Sequence, residues 1–382
     1  MPKVAYFSNQ FSSKQGHGIA RYARELFSAM RKHSDECELI PIAAWSDLES
    51  ESLSQLKKNS NLEILPMGRR GVAGSWTYLN FPPIEWLSRN KFEIVHAVAL
   101  GYPIATRKKF ITTVHDIGPL THPEFFSDTP PWLMEKSLKQ AVNKASSLVC
   151  VSQSTADELN DYVRSKYNVN LQDRISVIHE GVSASFFSPT SFELTDTDFF
   201  KEGHPPYFLA VGKISPRKNF KSILQALSAV KDSIPHHLIV VGGNGWDFEQ
   251  ISIMVDELDI RDRVHFQGYV SDDKLKALYK SASTFIYPSL YEGFGLTILE
   301  AMASGCPVIT SNTSSIPEVA SNAASLIDPT SLDELIDAMI RHGSDKVDLN
   351  QMKQLGISRA KELSWNKCAH EMLQVYQQVS NE

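Results

Sequence analysis

Residues 284–310 have the sequence TFIYPSLYEGFGLTILEAMASGCPVIT. Thr284 to Tyr287 is a short β-branched and aromatic run, which is typical of a buried strand. A glycine-containing loop follows, and then a helix is predicted from Leu296 to Ser304 and a second strand from Pro307 to Thr310. Gly305 stands where helices often end in a left-handed residue. This strand–helix–strand order predicts a parallel sheet covered by helices.

The same alternation extends outward in both directions along the chain. Upstream in the same half it predicts strands at Tyr207–Gly212, His237–Gly242 and Val264–Phe266, and helices at Asn219–Lys231, Phe248–Leu258 and Asp272–Ala282. In the other half it predicts strands at Val4–Phe7, Ile94–His96, Phe110–His115 and Leu148–Ser152, and helices at Ile19–Met30 and Trp132–Ala145. The fold class is therefore α/β, with two doubly wound Rossmann-like domains facing across a cleft.

A break in this rhythm marks the domain boundary. Proline, glycine and short polar residues cluster near residues 188–206, which is typical of a linker. We predict an N-terminal domain over 1–190, a linker over 191–206 and a C-terminal domain over 207–364. A terminal helix over 365–382 is expected to pack back on the N-terminal domain.

Composition excludes several classes of protein. The 382 residues are 42% hydrophobic and 21% charged, which indicates a globular protein. The net charge is −6, with +2 in residues 1–190 and −8 in 191–382, so the basic excess of a nucleic-acid-binding protein is missing. No apolar run is long enough to span a bilayer. The four cysteines form no C-x-x-C pair, and no secretory signal pattern is present, so we expect reduced thiols and a cytoplasmic location.

The loop before the predicted helix carries candidate chemistry. Free backbone N–H groups at the helix start favour a diphosphate, and Gly293 and Gly295 allow a close approach. Glu300, about one turn into the helix, could accept hydrogen bonds from ribose hydroxyls. Glu292, just before it, could do the same for a sugar ring.

A second loop, Val211–Asn219, follows the first strand of the C-terminal domain. Arg217 and Lys218 could neutralise a diphosphate leaving group as a pair of fixed cations. Asn219 is predicted to be the N-cap of the next helix.

These motifs resemble the retaining family-4 glycosyltransferases, which have the GT-B fold. The match runs from Glu292 past Val308 as E-x7-E within E-G-F-G-L-x-x-x-E-A-M-A-x-G-x-P-V, and the likeness covers nearly the whole chain. It implies that Glu292 contacts the donor sugar and Glu300 the nucleotide ribose. It also implies that backbone amides of Phe294, Gly295 and Leu296 serve the pyrophosphate and sugar.

The resemblance assigns further residues. G-x-x-x-P-R-K-N is similar to the family's phosphate loop, although Lys213 stands where many relatives carry arginine. V-H-D places His115 where the family has a histidine facing the donor sugar, whereas His96 is predicted to be structural. Gly16-His17-Gly18 is like the family's N-terminal glycine loop, with Gly18 approaching the ligand. Gly268-Tyr269-Val270 resembles the loop along the base.

The predicted site is thus defined. Its catalytic residues are His115, Glu292, Arg217 and Lys218, and its donor-binding residues are Gly18, Lys213, Gly268, Tyr269, Val270, Gly293, Phe294, Gly295, Leu296 and Glu300. No metal is expected, because Asp196-Thr197-Asp198, the D-x-D of the chain, falls in the linker. The resemblance implies retention of configuration by a front-face reaction, in which the leaving phosphate takes the acceptor proton and domain closure excludes water.

Donor and acceptor are less sharply indicated. The P-R-K-N loop and the H-E-G-V segment at residues 179–182 favour GDP-mannose as co-substrate over UDP-sugars, with no other cofactor. The expected acceptor is a glycan or lipid-linked sugar in polysaccharide or glycoconjugate biosynthesis. The apolar stretches 74–86 and 119–132 are the candidate acceptor or membrane-facing surfaces, so peripheral contact at the inner face of a membrane is possible.

Four alternatives stay open at this point. A sugar-nucleotide epimerase of the same fold would convert the donor without an acceptor, and a catalytically silent protein would bind the donor without turnover. A glycan phosphorylase would need a pyridoxal-phosphate lysine motif, which is not evident. An NAD-dependent enzyme would need G-x-G-x-x-G after the first strand, and that motif is absent.

Overall fold

The computed structural model contains two compact units, each with its own parallel sheet. Unit 1 comprises Met1–Glu180 and Trp365–Glu382, and unit 2 comprises Gly181–Ser364. The structure describes residues 1–12, 18–46, 48–101, 103–126, 130–190, 192–194, 200, 203–245, 247–344 and 346–382.

Unit 1 is built on a seven-stranded parallel sheet with the strand order β3-β2-β1-β4-β5-β6-β7. Its strands are β1 (Lys3–Phe7), β2 (Glu38–Ala43), β3 (Glu63–Ile64), β4 (Ile94–Ala97), β5 (Lys109–Val114), β6 (Ser147–Cys150) and β7 (Ile175–Val177). Its helices before residue 180 are α1 (Gly18–Met30), α2 (Ser50–Ser60), α3 (Gly68–Leu79), α4 (Ile84–Leu87), α5 (Gly118–Thr121), α6 (Pro131–Lys144) and α7 (Gln153–Tyr167). Side chains on both faces of β4 and β6 are buried, as in sheets covered on both sides.

Unit 2 is built on a six-stranded parallel sheet with the order β10-β9-β8-β11-β12-β13. Its strands are β8 (Tyr207–Val211), β9 (His237–Val241), β10 (Val264–Gly268), β11 (Thr284–Tyr287), β12 (Val308–Ser311) and β13 (Ser325–Ile327). Its helices are α8 (Phe220–Val230), α9 (Phe248–Glu257), α10 (Asp272–Ser281), α11 (Leu296–Ala303), α12 (Ile316–Ala320), α13 (Leu332–Gly343) and α14 (Leu349–Glu362).

The last helix, α15 (Trp365–Asn381), belongs to unit 1 and packs on α1. Trp365 lies with its ring 5.7 Å from that of Tyr22. The Tyr376 hydroxyl is 2.6 Å from Nδ1 of His96, whose Nε2 is 2.8 Å from Thr113 Oγ1. His96 is completely buried, and burial lowers its pKa to about 3, so the ring is neutral. These contacts make His96 a structural residue that fixes α15 to the sheet.

The units divide between Glu180 and Gly181, ten residues before the predicted end of the N-terminal domain. The Val182 N–H donates to the Leu363 carbonyl at 3.0 Å, and Val182 forms a bridge with Ser364. The Phe186 ring lies 6.4 Å from that of Tyr279. These contacts hold residues 181–190 to unit 2, which the composition of the linker did not indicate. Parts of the predicted linker, including Asp196-Thr197-Asp198, lie outside the described residues.

The α/β class is confirmed, and each predicted strand and helix is present with its ends shifted by at most two residues, whereas β2, β3, β7 and β13 were not predicted. The sheet order reverses between β1 and β4 in unit 1, and between β8 and β11 in unit 2. Ligands of such sheets bind at the carboxyl ends of the strands where the order reverses. The four cysteines, Cys37, Cys150, Cys306 and Cys368, are buried and free.

Candidate active site

The two loops that the sequence singled out meet at the strand reversal of unit 2. One loop follows β8 and the other follows β11, and these strands are hydrogen-bonded neighbours. The Arg217 carbonyl joins the loops, because it accepts from the Leu290 N–H at 2.8 Å and lies 2.9 Å from the Ser289 hydroxyl. The parallel sheet thus brings together segments that are about 70 residues apart in sequence.

A buried carboxylate forms ion pairs with both of the cations that were predicted to bind phosphate. Glu292 Oε2 lies 2.5 Å from Arg217 Nη1, and Glu292 Oε1 lies 2.6 Å from Lys218 Nζ. The Glu292 side chain is 9% exposed and that of Lys218 is 12% exposed, so these charges interact with little screening by water. The sequence assigned the cations to a diphosphate and the carboxylate to a sugar, but it did not indicate that they contact each other.

Neutral donors complete the setting of this carboxylate. The Tyr287 and Ser289 hydroxyls each donate to Glu292 Oε1 at 2.7 Å. The Tyr287 hydroxyl also contacts Lys218 Nζ, whose charge lies 4.5 Å from the centre of the same ring. Sequence reasoning missed both roles, although Ser289 stands three residues before Glu292 in the motif.

The charges of this cluster follow from its surroundings. Burial alone would raise the pKa of Glu292, but Arg217 and Lys218 outweigh burial and lower that pKa to about 2. Burial and then Arg217 lower the pKa of Lys218 to about 8, against the opposing effect of Glu292. At pH 7 the cluster therefore holds two cations and one anion, with one net positive charge left for a ligand.

The loop before α11 has a fixed backbone conformation. Gly295 has φ of 114° at the N-cap position, and a side chain there would press on Ile298 at 3.2 Å. The Ser315 hydroxyl lies 2.9 Å from the carbonyls of both Glu292 and Phe294 and shares its one proton between them. These bonds fix the loop so that the first N–H groups of α11, beginning at Leu296, stay available to an anion.

The remaining donor-side candidates lie on the same edge of the sheet. Glu300 is one turn inside α11 and is 5% exposed. Gly293 lies between Glu292 and Phe294 in the fixed loop. Lys213 follows β8 directly after Gly212. All of these candidates belong to unit 2.

Glycines bring the predicted base loop to this edge. The Gly242 N–H donates to the Gly268 carbonyl at 2.8 Å, and a Cβ at Gly242 would overlap the Gly212 carbonyl. Gly268 has φ of 63°, so it also adopts the conformation that favours glycine. Tyr269 follows it with 74% of its surface exposed, and Val270 comes next. The loops after β8, β9 and β10 therefore lie side by side.

The Asn219 prediction is wrong in one respect. Asn219 holds the N-cap position of α8, but its φ is 55° and its side chain caps no backbone N–H group. Instead Asn219 Nδ2 donates to the Pro329 carbonyl at 2.8 Å, and Asn219 Oδ1 accepts from Ser222 at 2.7 Å. The side chain therefore connects the loop to Pro329 and to the first turn of α8 without capping a backbone N–H group.

The unit 1 candidates lie at the strand reversal of their own sheet. His115 follows β5, and its Nε2 is 3.0 Å from the Val98 carbonyl after β4. Its Nδ1 is 3.0 Å from Glu180 Oε1, and the Tyr22 ring meets it edge-on at 4.6 Å. Gly18 begins α1, while Gly16 and His17 lie outside the described residues. Glu180 lies in the H-E-G-V segment, but the sequence did not indicate that it contacts His115.

The imidazole of His115 is held from both sides. A carbonyl only accepts hydrogen bonds, so Nε2 carries the proton in its bond to Val98. Glu180 is 4% exposed and faces the other nitrogen. The Val98 carbonyl and Glu180 therefore fix the ring plane of His115.

Among the described residues, no three histidine, cysteine or acidic side chains come together in a set suited to a metal ion. None of the helices in the described part of the chain is both long and apolar enough to cross a bilayer.

Comparison with known proteins defines the class. The family model described as glycosyl transferases group 1 matches residues 193–359, and that described as Glycosyltransferase Family 4 matches residues 16–186. O-antigen chain mannosyltransferase B of Escherichia coli is 30% identical over 368 residues, covering 94% of this chain and 95% of that protein. O-antigen chain mannosyltransferase RfbU of Salmonella typhimurium is 32% identical over 255 residues, covering 64% and 67%.

Solved structures agree on the fold. Sucrose-phosphate synthase from Thermosynechococcus elongatus superposes with a TM-score of 0.75 at 18% identity over 100% of both chains. HepE from Anabaena, in complex with UDP and glucose, gives a TM-score of 0.73 at 15% identity over 99% of this chain and 100% of that chain. The fold and these relatives define a glycosyltransferase of the GT-B type. The chain belongs to the group 1 glycosyltransferases, so the resemblance found in the sequence is confirmed.

Proposed function

We propose that this chain is a retaining mannosyltransferase that uses GDP-mannose. The mannosyltransferase names of relatives at 30–32% identity support the sugar. Because these names refer to an O-antigen chain, they also support a glycan or a lipid-linked sugar as the acceptor. UDP-sugars are the competing donors, since HepE was solved with UDP and glucose. The observation that carries the proposal is the buried contact of Glu292 with Arg217 and Lys218.

The charges of the cluster suit a diphosphate leaving group, which departs when its bond to the sugar breaks. The two positive charges of Arg217 and Lys218 are paired with a single carboxylate, so one positive charge is left for a diphosphate. The N–H groups at the start of α11 add further positive potential. Charge grows on the departing phosphate as the glycosidic bond lengthens, so fixed cations stabilise the transition state more than the ground state. The Glu292 carboxylate keeps these cations in place and can accept a hydrogen bond from a sugar hydroxyl.

The proposed reaction follows the front-face route. The bond between the anomeric carbon and the diphosphate oxygen breaks, and that oxygen receives the proton of the acceptor hydroxyl. The acceptor oxygen then bonds to the anomeric carbon on the face that the phosphate leaves, which retains the configuration. The products are the mannosylated acceptor and GDP, and the balance requires no metal and no further reactant.

The other predicted residues take roles consistent with their positions. Glu300 binds the ribose, and Gly268 to Val270 lie along the base. His115 keeps its predicted catalytic role, with Glu180 fixing its ring. We place the enzyme in the cytoplasm, where sugar nucleotides are available.

The first test is binding and turnover of GDP-mannose and UDP-glucose by the purified chain. We expect GDP to raise the unfolding temperature more than UDP or ADP, because a ligand bound only by the native state stabilises it. Lys218→Ala and Glu292→Ala should each lower kcat/KM by about 100-fold. Arg261→Ala is the matched control, because Arg261 forms an exposed pair with Asp256 in the same unit.

Four results would contradict the proposal, in whole or in part. Wild-type turnover rates in both alanine variants would show that Lys218 and Glu292 do not form the active site. Conversion of the donor without an acceptor would favour the epimerase, and nucleotide binding without turnover over a broad acceptor panel would favour the silent protein. A greater stabilisation by UDP would overturn the choice of donor alone.

A further inference from the structure

Exposed aromatic and aliphatic side chains gather on one part of unit 1. Single exposed hydrophobic residues are ordinary, but a contiguous set marks an interaction surface. We call this set the aromatic surface, and its members with their exposed fractions are Tyr78 (70%), Leu79 (73%), Phe81 (49%), Trp86 (58%) and Trp132 (51%).

Four of the five side chains form two ring pairs, and Leu79 lies next to Tyr78 in the chain. The Tyr78 and Trp132 rings are stacked at 6.4 Å, and the Phe81 and Trp86 rings meet edge-on at 5.5 Å. Residues 78–81 are consecutive at the end of α3, so they join the two ring pairs. The patch combines the ends of α3 and α4 with the start of α6.

The backbone beneath this patch is firmly held. Trp76, on the inner face of α3, is 1% exposed, and its Nε1 donates to the Pro82 carbonyl at 2.7 Å. The Ile84 N–H donates to the Ala105 carbonyl at 2.8 Å, which fixes α4. Since α3 already buries Val72 and Trp76, the exposure of Tyr78 and Leu79 is a property of the folded helix.

Cations cover the rings of the patch. Lys136 Nζ lies 4.5 Å from the ring centre of Tyr78 and 5.7 Å from that of Trp132. The Arg107 guanidinium lies 5.1 Å from the Trp86 ring. The neighbouring carboxylate, Glu85, accepts from Thr106 Oγ1 and from the Arg107 backbone N–H.

The acid on α6 is also engaged away from the patch. Glu135 accepts from Tyr162 at 2.6 Å and pairs with Lys166 at 2.9 Å. The described charges over the aromatic rings are therefore positive, and the patch complements an anionic partner.

Two occupants suit exposed aromatic rings: a sugar that stacks on them, or a lipid interface. Stacking needs free ring faces, and here Lys136 and Arg107 lie over three of them. Leu79 and Phe81 offer no hydrogen bond to a glycan. Tryptophan and tyrosine with apolar neighbours and basic residues are the combination favoured at membrane interfaces. We propose that the aromatic surface docks on a bilayer that contains anionic lipids.

This docking would place the enzyme beside lipid-linked acceptors, but it does not depend on the donor or on the reaction. The test uses the full chain and vesicles of phosphatidylcholine, alone or mixed with phosphatidylglycerol at about 2:1. Sedimentation should show binding to the anionic vesicles and little to the neutral ones. Tyr78→Ser with Leu79→Ser should weaken binding at least tenfold, and Lys136→Gln or Arg107→Gln about fivefold each.

Matched controls come from unit 2. Ile253→Ser removes a side chain that is 52% exposed, and Arg261→Gln removes an exposed cation, so both should bind vesicles like wild type. Thermal unfolding verifies that each variant is folded, and stabilisation by GDP tests the donor site separately. Wild type that stays in the supernatant with both vesicle types overturns the docking, as does a double-serine variant that binds normally. If wild type does not bind vesicles and the double-serine variant loses affinity for a soluble glycan, the surface binds the acceptor instead.

Discussion

Glu292 Oε1 lies 2.6 Å from Lys218 Nζ, in a setting where both side chains are nearly buried. The contact gives each residue a second role beyond the one that its motif implies. Arg217 and Lys218 keep the carboxylate ionised, and the carboxylate offsets part of the penalty of burying two adjacent cations. Both halves of the proposed donor site are therefore coupled, and substitutions in one should be visible in the other.

Glu292→Gln should separate binding from catalysis. The amide keeps the shape of the side chain but leaves Arg217 and Lys218 without their anion, so a diphosphate has no competitor for them. We expect the affinity for GDP to hold or increase, while kcat falls by about 100-fold. Calorimetric titration with GDP and initial rates with GDP-mannose measure the two effects.

The matched control for this change is Glu257→Gln, an exposed acid on α9 of the same unit. It should alter neither quantity. Loss of GDP binding in Glu292→Gln, with the fold intact, would show that the carboxylate contacts the nucleotide favourably rather than competing with it.

Ser289→Ala should loosen the Glu292 carboxylate without changing any charge. Its hydroxyl donates to Glu292 Oε1 and lies 2.9 Å from the Arg217 carbonyl, and both acceptors are buried or partly buried. We expect about 1–3 kcal/mol of lost stability and roughly a tenfold loss of kcat, with a smaller change in KM. Urea denaturation and steady-state kinetics provide the measurements.

Ser304→Ala makes the same chemical change at a buried hydroxyl with no hydrogen-bond partner among the described residues. It should leave stability and kcat near wild type. Equal effects from the two substitutions would mean that the hydrogen bonds of Ser289 contribute nothing specific to the site.

Local patterns in the sequence predicted the fold class and most of its strands. The apolar runs at 207–211 and 284–287 are strands because parallel strands bury both faces, and the structure places them within two residues of the prediction. The boundary at Glu180 was missed because it depends on a long-range bridge between Val182 and Ser364, which no local composition encodes.

The site was predictable only as separate loops. The residue types at 217, 218 and 292 indicated phosphate and sugar chemistry, but their pairing depends on β8 and β11 being neighbours across the strand reversal. The contact of Glu180 with His115 spans 65 residues and joins two strand ends. Neither partner lies in a motif with a spacing that would reveal the other.

Binding of GDP should weaken as the pH rises through the pKa of Lys218. That pKa is lowered to about 8 by burial and by Arg217, so the amine is charged at pH 7 and mostly neutral at pH 9. Removing this charge next to a diphosphate should raise Kd by about tenfold over that range. Titrations between pH 7 and 9 measure the effect.

Lys218→Arg is the informative comparison, because a guanidinium stays charged throughout this range. Its Kd should be almost independent of pH, whatever its absolute value. A wild-type Kd that is flat between pH 7 and 9 would exclude Lys218 as a diphosphate ligand.

Acid should destabilise both units through buried neutral histidines. Burial lowers the pKa of His342 to about 4 and that of His96 to about 3, while an unfolded chain protonates its histidines near 6.5. Below pH 6.5 the unfolded state therefore binds more protons, and stability falls as the pH falls. Each histidine should contribute roughly 2 kcal/mol of loss between pH 7 and 5.

Urea denaturation at pH 7 and pH 5 tests this slope. His342 accepts or donates through both nitrogens, at 3.0 Å to Thr284 and 2.9 Å to Ser325, so His342→Gln should be less stable at pH 7 but lose less on acidification. His370→Gln, at an exposed position on α15, should keep the wild-type slope. A His342→Gln variant with the full wild-type slope would show that this ring is not the group responsible.

Glu180→Gln should lower the rate of sugar transfer, and it should do so only by changing the orientation of His115. Val98 already takes the Nε2 proton, so the orientation of the ring depends on what Glu180 offers to Nδ1, 3.0 Å away. An amide cannot provide a charged acceptor there, and we expect kcat to fall about tenfold with the affinity for GDP unchanged, because the nucleotide contacts are assigned to unit 2. Glu124→Gln, with 61% of its side chain exposed in unit 1, is the control. If Glu180→Gln and His115→Ala combine to a loss equal to the product of the single losses, the two residues act independently, and Glu180 does not position the ring.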